Sequence, residues 1–151
     1  MITSKQIKEL REKTGVGVMD CKKAMEEAKG NSKKAEEILK KCGAMKALKK
    51  ADRKADQGLV ETYSHGCGKI GVIVEINCET DFVARNTEFK EFCHDIALQI
   101  ASMKPKDVAE LKKQSFIKDL DVTIDELLTQ KIGKIGENIQ IKKFTRYELG
   151  E

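Results

Sequence analysis

The chain has 151 residues, of which 40% are hydrophobic and 36% charged, with a formal net charge of +4. This length allows one ordinary domain or two small ones. The longest apolar runs, such as residues 71–74, are much too short to cross a bilayer. The first five residues have neither the apolar core of a signal peptide nor the composition of a transit peptide. We therefore expect a cytoplasmic protein without a membrane segment.

Charge is unevenly distributed along the chain. Residues 1–56 contain 16 Lys and Arg against 9 Asp and Glu, whereas residues 57–151 contain 13 against 16. This split predicts two modules, a basic head with its connector over residues 1–56 and a second domain over residues 57–151. The basic head would suit an acidic protein partner or RNA.

Three short helices are predicted in the head. Residues 3–6 fit a capping box that opens the first helix, and Gly15 is expected to end it. Residues 15–19 then read as a tight apolar loop, followed by a second helix over residues 20–28.

The third helix of the head is expected to begin after a cap at Asn31 or Ser32. Gly43 is a candidate interruption of this helix. Residues 44–56 are rich in Ala and Lys, which fits either a helical connector or simply a solvated charged face.

After residue 57, the spacing of hydrophobic residues changes from the helical period to the alternation of strands. Residues 58–64 and 69–78 are predicted to form two strands around a four-residue hairpin loop that contains Gly66 and Gly68. Apolar residues alternate along the second strand and should line one buried face: Ile70, Val72, Val74, Ile76 and Cys78.

Two helices and a third strand complete the predicted domain. Asn86 can cap a helix that runs to about Met103, and a second capping box at residues 123–126 opens a helix that ends at Gly136. The final stretch, residues 139–149, alternates again. The expected fold is therefore α+β, a three-stranded antiparallel sheet packed with helices.

The cysteines and histidines do not form a recognisable catalytic or metal site. Five cysteines at unrelated spacings favour free thiols. A zinc site from His65, Cys67, Cys78 and Cys93 is conceivable, but the last two lie on apolar faces and are better explained as core residues. His94 points about 100° away from Cys93 on a helix, so the two cannot act as a nucleophile and its base. We expect no metal, no cofactor and no enzymatic activity.

The segment from Thr80 to Val83 interrupts the pattern between a buried strand and a helix cap. Asp81 could merely cap a helical turn, and Phe82 could merely fasten the sheet to the helix. Alternatively, the turn is exposed and meets a partner. The same question applies to Val18 and Met19, because exposed apolar tips are costly unless a partner covers them.

Three segments in this order resemble the elongation factor Ts family. Residues 10–24, LREKTGVGVMDCKKA, resemble the N-terminal signature, residues 75–86, EINCETDFVARN, the second signature, and residues 134–139, KIGENI, the C-terminal end. Together they span nearly the whole chain.

The resemblance implies a guanine-nucleotide exchange factor for elongation factor Tu. It implies that the head is a ubiquitin-associated-like (UBA-like) three-helix bundle that docks on the GTPase through Arg11, Val18 and Met19. It also implies that Thr80, Asp81, Phe82 and Val83 intrude beside the nucleotide site and dislodge the magnesium ion of the GTPase, with Phe82 as a wedge.

The short connection between Pro105 and Thr123 leaves no room for the second core repeat and coiled-coil hairpin of long family members. Short members pair as homodimers, which predicts a dimer packed through the sheets.

Two other functions stay open from the sequence. One is a non-enzymatic adaptor whose UBA-like head binds another protein. The other is an RNA-binding accessory role, which we consider weaker because aromatic residues are only 5% of the chain and no stacking platform is evident. Direct nucleic-acid binding is therefore not expected.

Overall fold

A three-stranded antiparallel sheet lies at the centre of the second half of the chain in the computed structural model, which describes residues 2–151. The elements in chain order are α1 (Ser4–Thr14), α2 (Val18–Glu27), α3 (Ser32–Lys50), β1 (Gln57–His65), β2 (Ile70–Cys78), α4 (Asp81–Ala84), α5 (Thr87–Met103), α6 (Val108–Lys113), β3 (Ser115–Phe116), β4 (Asp119–Thr123), α7 (Ile124–Ile135) and β5 (Gln140–Glu148). The predicted α+β fold is confirmed.

The first helix begins and ends as its capping residues predict. The Thr3 hydroxyl accepts the Gln6 backbone N–H at 3.3 Å, and the Gln6 side-chain oxygen accepts the Thr3 N–H at 2.9 Å. Gly15 ends the helix in the left-handed region with φ 69°. The Asn31 side chain accepts the Lys34 N–H at 3.1 Å and caps α3. The head core consists of small or flexible side chains that allow close helix packing: Leu10, Cys21, Ala24, Met25, Ala28, Ala35 and Leu39.

One predicted boundary in the head is wrong, and one open alternative is decided. The second helix begins at Val18 rather than at residue 20, because the Gly17 carbonyl already accepts the Cys21 N–H at 3.0 Å. Its N-terminus has no side-chain cap, so no sequence signal marks it. Gly43 does not interrupt α3, which continues to Lys50. A Cβ at Gly43 would lie 3.9 Å from the Thr129 methyl, an ordinary contact distance, so α3 faces α7 here with room for a small side chain.

The sheet has the order β1-β2-β5, and both pairings are antiparallel. Its central strand is buried on one face, since Val72, Val74, Ile76 and Cys78 are all buried, as the alternation predicts. Helix α5 packs on that face, and its buried side chains form most of the larger core: Phe89, Phe92, Cys93, Ile96, Ala97 and Ile100.

The hydrophobic residues form two separate clusters, one in the head and one around the sheet. Ala47, near the end of α3, packs against the sheet cluster and not against the head cluster. The third helix therefore connects the two cores. The predicted domain boundary at residue 56 stays a prediction.

The segment between α5 and α7 holds more structure than the sequence predicts. Helix α6 and the β3–β4 hairpin occupy it, where only a short connection was expected. The fully buried Gln99 of α5 anchors this segment. Its amide donates to the Ser115 carbonyl at 3.0 Å and accepts the Ile117 N–H at 2.9 Å. A buried glutamine inside an apolar helix face gives no sequence signal for its distant partners.

We expect Gln99→Leu to lower the free energy of unfolding by about 1–3 kcal/mol, because the Ser115 carbonyl and the Ile117 N–H lose their bonds to the buried Gln99 amide. Urea unfolding followed by circular dichroism measures this. Ser64→Ala, an exposed change on β1, is the control and should shift the midpoint very little. Equal midpoints for both variants would contradict the anchoring role.

Candidate functional site

The Thr80–Val83 turn, defined as residues 80–83, projects from the end of β2. Thr80 is the N-cap of α4, and its hydroxyl accepts the Val83 N–H at 3.4 Å. Val83 packs against the sheet core, and Ala84, the next residue, is buried. Phe82 points the other way and is 88% exposed. Phe82 therefore does not fasten the sheet to the helix.

A carboxylate from a distant part of the chain holds the turn. Glu137 Oε1 accepts the backbone N–H groups of Glu79 at 3.1 Å and Thr80 at 3.0 Å, and its Oε2 accepts the Thr80 hydroxyl at 2.7 Å. Free N–H groups at a helix start need such acceptors, and a negative charge there is favourable. From the sequence, Glu137 was expected only as part of the KIGENI motif, with no role of its own. The one available signal was a charged residue between the Gly136 cap and a buried strand residue.

The Cys78 thiol, at the end of β2, also bonds to the turn. It donates to the Thr80 carbonyl at 3.2 Å and is fully buried. Burial raises the pKa of this thiol to about 11, and the negative charge of Glu137 adds to the shift. The thiol stays protonated and can donate throughout the neutral range.

We expect two of the five cysteines, Cys42 and Cys67, to react rapidly with a thiol reagent in the native chain, because only these two are exposed. Quantitative labelling at pH 8 followed by peptide mass spectrometry identifies the modified residues. Rapid native labelling of Cys78 would contradict its burial.

The Cys78 thiol also makes the stability depend on pH. Because its pKa is raised in the folded state, the stability that the protonated thiol provides is complete below pH 9 and is lost as the pH rises through about 11.

Asp81 lies at the surface and pairs with a residue one turn further along. Its Oδ2 lies 2.7 Å from the Arg85 guanidinium, and both side chains are largely exposed. Thr80, not Asp81, caps the helix. The Asp81 carboxylate is therefore available to another molecule that displaces Arg85. The sequence-based predictions did not include this ion pair.

The predicted head residues lie on the surface of the bundle. Arg11 and Val18 line a shallow groove between α1 and α2, together with Ser4, Ile7 and Lys8. Val18 is 47% exposed and Met19 is 65% exposed. Both belong to the first turn of α2 rather than to a loop, so the helix fixes the direction of their side chains. The structure thus gathers Arg11 and Val18 at one groove, while the Thr80–Val83 turn forms a second exposed site.

The four residues considered for zinc do not converge. His65 Nδ1 lies 2.9 Å from the Tyr63 hydroxyl, Cys67 is exposed in the hairpin loop, and Cys78 and Cys93 are buried. Within residues 2–151, no group of three or more His, Cys, Asp or Glu side chains is arranged to hold a metal ion. Over the same residues, no helix combines the length and apolar character that a membrane crossing requires.

Comparison with known proteins identifies the family to which these residues belong. A family model described as elongation factor TS matches residues 79–151, which include the Thr80–Val83 turn and Glu137. The chain is 47% identical to elongation factor Ts of Carboxydothermus hydrogenoformans, an alignment that covers 100% of this chain and 90% of the relative. It is 46% identical to elongation factor Ts of Alkaliphilus oremlandii, with 99% and 90% covered. This chain belongs to the elongation factor Ts family.

Family membership places the chain among translation elongation factors and confirms the resemblance carried by the three sequence segments. The same likeness extends to an organelle protein, the chloroplastic elongation factor Ts of Rhodomonas salina, at 41% identity with 99% of this chain and 90% of the relative covered. The first alignment spans 196 positions against 151 residues here, so about 45 positions of that elongation factor Ts have no counterpart in this chain.

Proposed function

We propose that this chain is a guanine-nucleotide exchange factor that accelerates GDP release from elongation factor Tu. The observation that carries the proposal is Phe82, which is 88% exposed on a turn whose backbone is held by Glu137. An exposed aromatic side chain on a fixed support is suited to insertion into another protein. Membership of the elongation factor Ts family identifies that protein as elongation factor Tu.

The Thr80–Val83 turn works by weakening the hold of the GTPase on its own nucleotide. A bound magnesium ion and phosphate-loop amides retain GDP in such GTPases, so a protein that disturbs the metal surroundings lowers the affinity for GDP. Burial of the Phe82 side chain in the complex supplies about 1.5–3 kcal/mol toward a GTPase conformation that binds GDP poorly. Asp81 offers a carboxylate beside the displaced magnesium.

Coupling between the two binding events is reciprocal. If the exchange factor weakens nucleotide binding, nucleotide weakens binding of the exchange factor by the same ratio. The complex is then transient when nucleotide arrives. This cycle uses binding energy alone, so the chain needs no catalytic acid, base or cofactor and is not itself an enzyme.

The head provides the second contact with the GTPase. The groove that Arg11 and Val18 line, with Met19 beside it, combines an apolar floor with positive charge at its rim. Such a surface suits an acidic protein. Docking through the head raises the effective concentration of the Thr80–Val83 turn near the nucleotide site.

The outer face of the sheet supports the proposal of a homodimer. Val60, Ile73 and Tyr147 are 58%, 47% and 76% exposed there, and Thr62 and Thr145 flank Ile73 on the neighbouring strands. This face also carries Glu75, opposite Val60 on β1 and Lys143 on β5. A partly apolar surface of this kind can pair with a second copy of itself through a two-fold axis. Light scattering at micromolar concentration should give twice the mass of the chain, and Ile73→Asp should halve it. A monomeric wild-type chain with intact exchange activity would overturn the dimer.

Release of a fluorescent GDP analogue from elongation factor Tu tests the function. We expect the full chain to accelerate release at substoichiometric concentrations, because each molecule acts repeatedly. Release that stays at the spontaneous rate in the presence of excess chain would overturn the proposal.

A further inference from the structure

Among side chains outside the Thr80–Val83 turn, Glu137 makes the most hydrogen bonds to the start of that turn. Its two carboxylate oxygens accept three hydrogen bonds, all from Glu79 and Thr80, at 3.1, 3.0 and 2.7 Å. These two residues lie more than fifty positions earlier in the chain. The proposed exchange function relies on Phe82 standing on a turn that Glu137 holds, so the contribution of these bonds to exchange can be tested separately.

The turn itself has little internal support. Helix α4 has only four residues, too few to be stable on its own, and its internal cap, from the Thr80 hydroxyl to the Val83 N–H, is long at 3.4 Å. Phe82 is exposed and makes no compensating contact with the core. The direction in which Phe82 projects therefore depends on two supports, the packing of Val83 and Ala84 against the core and the bonds that hold the backbone at Glu79 and Thr80.

The segment that carries Glu137 is fixed from the other side. The Asn138 N–H donates to Glu79 Oε1 at 2.7 Å, so the two segments bond to each other in both directions. The buried Asn138 side chain donates to the Arg53 carbonyl at 2.8 Å, which ties the same segment to the chain that leaves the head. The backbone next to Glu137 is thus held by hydrogen bonds to two other segments of the chain.

We propose that Glu137 is a positioning residue for nucleotide exchange, which holds the Thr80–Val83 turn so that Phe82 projects toward the partner in one orientation. This inference rests on the proposed exchange function. Glu137 does not contact elongation factor Tu, and it acts only through the backbone of Glu79 and Thr80. The energetic advantage is pre-organisation, because a turn that is already ordered loses less entropy on binding.

The test compares the full-length variants Glu137→Ala and Glu137→Gln in the fluorescent GDP release assay. The maximal rate at saturating exchange factor is measured separately from the half-saturating concentration, and the folded fraction of each variant is measured by circular dichroism. Glu137→Ala should lower the maximal rate per folded molecule by about fivefold or more. Glu137→Gln should restore most of it, because the amide oxygen can still accept both backbone N–H groups.

A second background separates positioning from a general loss of stability. In a chain that already carries Phe82→Ala, Glu137→Ala should cause no further loss of maximal rate, because the side chain that it positions is gone. Gln99→Ala removes the buried anchor of the segment around Ser115 and Ile117, which makes no bond to the Thr80–Val83 turn, and serves as the control. It should lower stability while leaving the maximal rate per folded molecule unchanged.

Three results would overturn the positioning role while leaving exchange by the wild-type chain intact. They are an unchanged maximal rate in Glu137→Ala, an equal loss in Glu137→Gln, or a further loss in the Phe82→Ala background. A wild-type chain that does not accelerate release would overturn the exchange function and this inference together. If Glu137→Ala does not fold, Glu137→Asp, whose shorter side chain withdraws the carboxylate from the Glu79 and Thr80 N–H groups, takes its place and should lose part of the maximal rate.

Discussion

Phe82→Ala is expected to remove most of the acceleration of GDP release while the free energy of unfolding stays within about 0.5 kcal/mol of the wild type. The side chain is 88% exposed, so the fold gains little from it. In the complex, its burial is worth about 1.5–3 kcal/mol, which corresponds to a loss of about 10- to 150-fold in rate. Stopped-flow release of a fluorescent GDP analogue measures the rate, and urea unfolding measures the stability.

Leu120→Ala is the matched control for this experiment. Leu120 lies in β4 and is 74% exposed, so its truncation also removes an exposed apolar side chain. It should change neither release nor stability appreciably. A collapse of stability in Phe82→Ala, or an equal loss of rate in both variants, would contradict the wedge role of Phe82.

Gly58→Ala is expected to cause the largest loss of stability among single substitutions in the sheet. Gly58 has φ +138°, and a Cβ there would lie 2.1 Å from the Ile76 carbonyl oxygen and 2.8 Å from the Asn77 Cα. Both contacts are with backbone of the neighbouring strand, so no side-chain rotation can relieve them. We expect a loss of at least about 3 kcal/mol, from overlap and from backbone strain.

Gly133→Ala makes the same chemical change where there is room. Gly133 lies in α7, and an added Cβ would meet nothing within 4 Å. Because glycine is a weak helix former, this variant should be more stable than the wild type by up to about 1 kcal/mol. Urea midpoints of the two variants should therefore move in opposite directions. A shift below about 1 kcal/mol for Gly58→Ala would mean that β1 moves freely against β2, contrary to the pairing described above.

The candidate site was only partly predictable from the sequence. The capping boxes, the strand alternation and the position of the turn between β2 and α5 were all predicted, because each depends on residues within a few positions of one another. The exposure of Phe82 was implied only by the family resemblance, since by its local pattern a phenylalanine next to an apolar strand is as easily a core residue. The structure decides it, because Val83 and Ala84 occupy the inner side of the short helix.

Long-range partners escaped sequence reasoning for a physical reason. The bonds from Glu137 to Thr80 and from Gln99 to Ile117 join residues 57 and 18 positions apart. A polar side chain carries no information on which distant backbone group it will meet. The same applies to helix α6 and the β3–β4 hairpin, whose short elements have little periodicity and depend on Gln99 for anchoring.

By itself, the sequence determined the longer helices and strands, the buried face of the central strand and the family, because local hydrogen bonding, hydrophobic period and motif order are properties of the linear chain. Only the tertiary structure decided which side chain stands outward on the turn, what holds that turn in place, and where α3 meets α7. Those features arise from contacts between segments far apart in sequence, and such contacts exist only once the chain has packed.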